Sequence, residues 1–258
     1  MKTRKTILIT GASRGIGKAL AEAYAATDVH LVLNARQATA LQNVAETCRQ
    51  LGAQVTTHTA DIRKPEWHQW LQDFACSHPI DLVIANAGMT CSRHDQASED
   101  FEQLHNMLTT NIFGTVNTIE ALIPTLRTRQ HGHIALVSSW AGIIAFPQFP
   151  SYCLSKAGIV HYGKALRAWL KREGIDVSII CPGFVKSDMS DCLVGSKPGL
   201  CSTQIAAKRI QRGLAKRRRY IIFPRLLFAL LRLATVLPLI RQWTVDRMRY
   251  DFRSPHDT

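Results

Sequence analysis

The chain has no C-x-x-C pair. Its seven cysteines, Cys48, Cys76, Cys91, Cys153, Cys181, Cys192 and Cys201, are odd in number and scattered. This argues against a disulfide framework or a zinc ribbon, and reduced thiols of an intracellular, cytoplasmic protein are expected. No H-E-x-x-H occurs among the ten histidines, and the glycine between His131 and His133 marks a turn before a strand, so no metal site is expected. The sequence has no repeat of about 20 to 50 residues and no low-complexity tract, which removes solenoids and fibres. It has no Pro/Gly/Ser-rich linker, hence no second domain is expected. The apolar run at residues 7–9 is far too short for a signal-peptide core, and neither export nor cleavage is expected.

What is there fits one globular α/β domain: 258 residues, 46% hydrophobic and 20% charged. The net charge of +13 is unevenly placed. Residues 1–207 carry 19 Lys and Arg against 16 Asp and Glu, whereas residues 208–258 carry 13 against 3. A near-neutral body with a basic, Leu-rich tail points to an anionic membrane surface as readily as to nucleic acid. The sequence shows no helix-turn-helix, zinc finger or RNA-binding aromatic pair, and nucleic acid is not expected as a partner.

Short β-branched runs alternate with amphipathic stretches. Strands are expected at residues 6–10, 30–34, 54–58, 81–85, 133–138, 176–180 and 219–223, and helices at 16–26, 38–51, 65–77, 99–129, 151–172 and 203–216. The alternation is that of a Rossmann-type, doubly wound parallel sheet of about seven strands with helices on both faces. A catalytic domain is expected over residues 1–223, followed by a dependent extension over 224–258 with no further strand.

Thr10-Gly11-Ala12-Ser13-Arg14-Gly15-Ile16-Gly17 follows the first strand and opens the first helix. Glycines there let the backbone approach a pyrophosphate, and the helix N-terminus offers free N–H groups. Glycines also simply make tight turns; the strand-turn-helix setting favours a dinucleotide. At the end of the second strand, where an NAD-selecting fold places an acid, stand Ala35 and Arg36. A guanidinium grips a 2′-phosphate that a carboxylate would repel, so NADP(H) is the expected cofactor, with Arg14 as a second positive charge. The plainer alternative is two solvated surface arginines.

Tyr152 and Lys156 lie four apart on an expected helix and therefore on one face. An adjacent ammonium favours phenolate and would lower the tyrosine pKa, making a usable proton donor. An exposed helix face explains the pair equally well when it is taken alone. Ser138 and Ser139 close the fifth strand and Asn86-Ala87-Gly88 follows the fourth, all at the carboxyl edge where open α/β sheets bind ligands. A serine at a strand end also caps or turns a chain.

Together these motifs resemble the short-chain dehydrogenase/reductase family over roughly residues 5–223: the glycine turn, Asp61-Ile62, Asn86-Ala87-Gly88, Asn111, Ser139, Tyr152-x-x-x-Lys156 and Pro182-Gly183-Phe184-Val185. The resemblance implies that Ser139 holds the substrate oxygen, Tyr152 transfers its proton, Lys156 binds the nicotinamide ribose, and Asn111 anchors a water relay to Lys156. It also implies that Asp61 and Ile62 contact adenine, that Asn86, Ala87 and Gly88 line the cofactor, and that Pro182, Gly183, Val185 and Ser187 meet the nicotinamide end. Ser187 stands where the family usually has Thr, and only the methyl contact is lost.

The expected activity is NADPH-dependent reduction of a carbonyl, or the reverse oxidation of an alcohol. The alternatives are a non-catalytic NADP(H)-binding scaffold and nucleic-acid binding through the tail. Residues 185–203 carry Met189, Leu193, Val194, Pro198 and Leu200 with few charges, which leans towards an apolar substrate. The resemblance further implies a homodimer or homotetramer built on the two long helices. The apolar stretch 226–240, broken by Arg232 and Pro238, is shorter than the roughly 20 residues a bilayer span needs. With Arg217, Arg218, Arg219, Arg225, Arg241, Arg247 and Arg249 beside it, this stretch reads either as a surface-lying membrane segment over residues 217–253 or as packing on its own domain or a partner subunit. Trp67 and Trp70 read as packing residues, and Cys153 as a small apolar filler.

Overall fold

In the computed structural model, which describes residues 4–90, 99–191, 193–236 and 251–252, seven parallel strands form the central sheet. They are β1 (Lys5–Thr10), β2 (Val29–Ala35), β3 (Gln54–Thr59), β4 (Leu82–Ala85), β5 (Gly132–Val137), β6 (Ile175–Pro182) and β8 (Tyr220–Phe223), in the order β3-β2-β1-β4-β5-β6-β8. The period-two pattern assigns faces. Ile7, Ile9, Leu31, Leu33, Leu82 and Ile84 pack against α1 (Gly15–Tyr24), α2 (Ala38–Gln50) and α8 (Thr203–Ala215). The intervening Leu8, Val32 and Val83 pack against α3 (Pro65–Ser77), α5 (Thr115–Arg129) and α6 (Pro150–Leu170). Every residue of β2 and β5 is buried, as a sheet covered on both faces requires. Strand order reverses between β1 and β4, and the crevice at their carboxyl ends is where such a sheet binds ligands.

Three local features depart from the sequence expectations. The helix expected at residues 99–129 is divided into α4 (Phe101–Leu108), a π segment at Thr109–Gly114 and α5. Thr115 and Thr118 hydroxyls donate back to the Asn111 and Gly114 carbonyls at 2.8 Å each. Past Phe223 the chain forms α9 (Arg225–Val236), then returns as the two-residue strand β9 (Asp251–Phe252), where no strand was expected. β9 pairs antiparallel with β7 (Leu193–Val194). Finally, Arg217, Arg218 and Arg219 precede β8 and so lie at the amino edge of the sheet, away from α9. Arg217 pairs with Asp176, while the Arg218 and Arg219 carbonyls accept from Ser178 and Arg167. Grouping them with the tail is therefore corrected: a whole strand separates the two. Residues 237–250, with Pro238, Arg241, Arg247 and Arg249, and likewise Cys91 and Cys192, fall outside the described residues.

Trp67 is fully buried and donates its indole N–H to Thr118 Oγ1 at 2.9 Å, while Trp70 stacks on His58 at 3.8 Å between ring centres. No group of three His, Cys, Asp or Glu among the described residues is arranged to hold a metal. His133 instead lies buried on β5 with Nε2 2.8 Å from Ser178 Oγ. That hydroxyl donates to the Arg218 carbonyl at 2.7 Å, so Nε2 must carry the proton.

Burial pulls His133 down to about 4 from 6.5; Asp176 opposes the shift, and Arg217 and Lys5 add to it. A base depressed in the folded state contributes stability that is complete above its unfolded pKa. That contribution is lost as pH falls from 6.5 towards 4. It amounts to roughly 3 kcal/mol. Urea unfolding at pH 7 and near pH 4 should therefore show His133→Gln flattening the acid slope by about that amount; an unchanged slope would locate the acid lability elsewhere.

Candidate active site

The carboxyl edge of the sheet carries a groove of about 330 Å³ that runs from Arg36 to Tyr152. Its floor is built by tying the turns after β1 and β4 together. Thr10 Oγ1 accepts from the N–H groups of Asn86 and Ala87 at 3.1 Å each, and Asn86 Nδ2 donates to the Thr10 and Gly11 carbonyls at 3.0 and 3.2 Å. Gly15 has φ +57°, a conformation that side chains disfavour. Gly17 is buried beneath the turn, where a Cβ would collide with the Gly11 carbonyl. Gly11, Ser13, Arg14, Gly15 and Ile16 line the groove, and Gly17 supports it from behind. A turn whose backbone is laid bare at a helix N-terminus fits a pyrophosphate.

At the far end of the turn, Arg36 follows β2 and is exposed on the groove wall beside Ala35. Asp61 and Ile62 line the same end. Burial raises the Asp61 carboxyl, but the hydrogen bonds from Arg63 and the charges of Arg63 and Arg36 outweigh it and hold the group below its ordinary value. Arg63 clamps Asp61 at 2.6 to 3.0 Å. Arg14 does not point its charge at this end alone: its guanidinium pairs with Asp188 at 3.1 Å, both side chains being exposed.

Asn86, Ala87, Gly88, Ser139, Tyr152, Lys156, Pro182, Gly183, Val185 and Ser187 converge on the other half of the groove. Tyr152 and Ser139 share a hydroxyl hydrogen bond, and Ser139 Oγ also accepts from Ala141 N at 3.2 Å. Lys156 Nζ donates to the Val137 carbonyl at 3.2 Å and sits 5.7 Å from the centre of the Tyr152 ring. Ser138 Oγ donates to the Lys156 carbonyl at 2.8 Å, locking α6 to the end of β5.

The expected lowering of the tyrosine pKa is not what this arrangement produces. Burial pushes Tyr152 up to about 12 against the Ser139 hydrogen bond, and burial pulls Lys156 down to about 8. At neutral pH the phenol therefore keeps its proton and the amine remains largely protonated.

Asn111 is 1% exposed and does not line the groove. Its side chain accepts from Met89 N at 2.8 Å and donates to Met89 O at 2.9 Å and to Ser155 Oγ at 3.1 Å. The π segment thus anchors the loop after β4, and the Asn111 amide lies across Gly88 from Lys156 Nζ: a Cβ on Gly88 would meet them at 3.1 and 3.4 Å. Ser187 Oγ donates to the Val185 carbonyl at 3.2 Å.

Several groove residues escaped the sequence reading. Trp140, Phe146 and Phe149 join Leu193, which the sequence reading had placed in the apolar region 185–203, in an apolar wall near Tyr152. Cys153 is more than filler, because its sulfur accepts from Phe146 N at 3.3 Å and so fixes that wall. Thr110, on the π segment, lines the groove with a buried hydroxyl that has no protein partner. Side-chain hydroxyls and aromatics of these kinds occur throughout any sequence and carry no motif. The orphan Thr110 hydroxyl, the exposed backbone of the glycine turn and the cation at Arg36 are what a phosphorylated dinucleotide needs, and the residues present fit one.

Comparison with known proteins agrees with this geometry. The chain is 34% identical over 241 residues to 11-beta-hydroxysteroid dehydrogenase 1A of Arabidopsis thaliana, covering 85% of this chain and 68% of that protein. It is 30% identical over 238 residues to an uncharacterized oxidoreductase of Myxococcus xanthus, covering 91% and 93%. A short-chain dehydrogenase from Sphingobium yanoikuyae, solved in complex with NADPH, superposes with a TM-score of 0.78 at 23% identity, over 97% of this chain and 99% of that one. The family model for short chain dehydrogenases matches residues 5–196. With its seven-stranded sheet and its groove at the carboxyl edge, this chain belongs to the short chain dehydrogenase family of oxidoreductases.

Proposed function

We propose that this oxidoreductase uses NADP(H) to reduce the carbonyl of an apolar substrate, with Tyr152 as the proton donor. The observation that carries the reading is the Ser139–Tyr152 hydroxyl pair on the groove wall, with the Lys156 amine beside it. Bound nicotinamide would supply the hydride. The chain's part is positioning and proton transfer: Ser139 Oγ holds the substrate oxygen next to Tyr152, and the tyrosine hydroxyl gives that oxygen its proton. Lys156, largely protonated at neutral pH although burial pulls it down to about 8, stabilises the phenolate this leaves behind. Asn111 acts through Met89 and Ser155 as a positioning residue, and the proposed water relay would run past Gly88. Asp61 and Ile62 flank the adenine end; Pro182, Gly183, Val185 and Ser187 flank the nicotinamide end.

Apolar substrates are supported by the wall of Trp140, Phe146, Phe149 and Leu193, and by the similarity to 11-beta-hydroxysteroid dehydrogenase 1A of Arabidopsis thaliana. NADP(H) is supported by Arg36 where an acid would favour NAD. Exposed Phe101, Phe113, Leu154 and Trp169 lie on the long helices and support a homodimer or homotetramer formed through them. The deciding experiment follows NADPH and NADH oxidation with a panel of small and sterol-sized ketones. NADPH-dependent turnover that improves with substrate apolarity is expected. Tight NADPH binding without turnover on any carbonyl would favour the scaffold reading.

A further inference from the structure

Helix α9 has two apolar faces. Leu227, Phe228 and Leu231 pack into the cluster that holds Trp140, Phe146, Phe149, Tyr152 and Leu193, with Phe228 5.8 Å from Trp140 between ring centres. The opposite face is turned to solvent: Leu226 is 76% exposed, and Leu230 and Leu233 are 57% exposed. Their spacing of four and three residues places them in one stripe. An amphipathic helix that is part of a pocket wall has no folding reason to carry leucine on its outer face, where alanine, lysine or glutamate would serve.

We propose that this leucine stripe seats on an anionic lipid surface. Charge decides the occupant. α9 has no acidic residue, Arg225 is exposed on it, Arg232 reaches back to donate to the Ile143 carbonyl at 3.3 Å, and residues 225–258 carry six arginines against three aspartates. Arg225 also stands at the positive end of the helix dipole, where a cation adds to the field rather than cancelling it. A second copy of the helix related by a two-fold axis would bring the two sets of arginines together with no carboxylate on α9 to pair them. Lipid phosphate supplies a negative charge for Arg225 that α9 itself does not carry, and the acyl boundary takes the leucines. No helix among the described residues is long and apolar enough to cross a membrane, so the contact is a surface one. Its geometry sets the pocket wall about one helix diameter, roughly 10 Å, from the lipid.

The test is flotation of the full chain at low salt with phosphatidylcholine vesicles, with and without phosphatidylserine. Wild type should float with the serine-containing vesicles and largely stay behind with the neutral ones. The triple variant Leu226→Glu, Leu230→Glu, Leu233→Glu should lose about tenfold or more in partitioning. Arg225→Gln should lose about fivefold on anionic vesicles only. A Leu→Gln triple variant controls for added negative charge, and circular dichroism with NADPH binding confirms that the variants fold. The proposal is overturned if wild type fails to float on anionic vesicles, or if both triple variants float as well as wild type. It is likewise overturned if the variants change the oligomer mass in light scattering while wild type ignores lipid, which would make the stripe a contact between copies. None of these readouts depends on the proposed reaction.

Discussion

Tyr152→Phe is expected to lower kcat for ketone reduction roughly a hundred- to ten-thousandfold while changing NADPH affinity by no more than about twofold. The substitution deletes one hydroxyl and keeps the ring volume, so the packing with Phe146 and Leu193 survives. What disappears is the proton given to the substrate oxygen and half of the hydroxyl pair with Ser139. The same geometry sets a pH dependence for the wild type. Tyr152, pushed up to about 12, remains protonated across the neutral range, whereas Lys156, pulled down to about 8, loses its charge as pH rises through that value. Reduction should therefore fall above about pH 8, because an uncharged Lys156 no longer stabilises the phenolate. Steady-state rates from pH 6 to 10 on an active ketone check both statements. Near wild-type turnover in the Phe variant would move the proton donor elsewhere.

Arg36→Asp is expected to weaken NADPH by about a hundredfold or more while changing NADH by only a few-fold. Two charge-assisted hydrogen bonds to phosphate are each worth roughly 1.5–3 kcal/mol, and the new carboxylate adds repulsion beside Asp61. Arg14→Ala should have the smaller effect, because the Arg14 guanidinium is already paired with Asp188 across the groove mouth and a 2′-phosphate must compete for it. Fluorescence titration of wild type and both variants with each cofactor separates these roles. Equal wild-type affinities for NADPH and NADH would show that Arg36 is a solvated surface residue.

Much of the fold was legible because the signals are local. The alternation of Ile7, Leu8 and Ile9 already states which side chains go to which face of β1, whereas the strand order β3-β2-β1-β4-β5-β6-β8 came from the structure. The glycine turn was equally legible, since the backbone freedom it needs belongs to single residues. The π segment was not: residues 99–129 were expected as one helix, and the break at Thr109–Gly114 shows only in the folded backbone.

The site divides in the same way. Ser139, Tyr152 and Lys156 could be placed on one edge from spacing alone, because a strand end and one turn of helix fix their directions. Their electrostatics could not, since burial by distant segments raises the phenol and lowers the amine instead of letting the pair shift the tyrosine down.

For this protein, the sequence by itself determined the sheet, the glycine turn, the proposed acid and its lysine, and the position of the proposed cofactor-selecting arginine. Each depends on residues within a few positions of one another. Only the tertiary structure decided that Arg14 faces Asp188, that Asn111 pins Met89 rather than lining the groove, and that Arg217, Arg218 and Arg219 sit across the sheet from α9. It alone decided that the chain returns as β9 onto β7. Those are meetings between segments tens to hundreds of residues apart. Hydrophobic burial drives such segments together without specifying direction, and their partners are selected by the packing of the whole sheet rather than by any spacing along the chain.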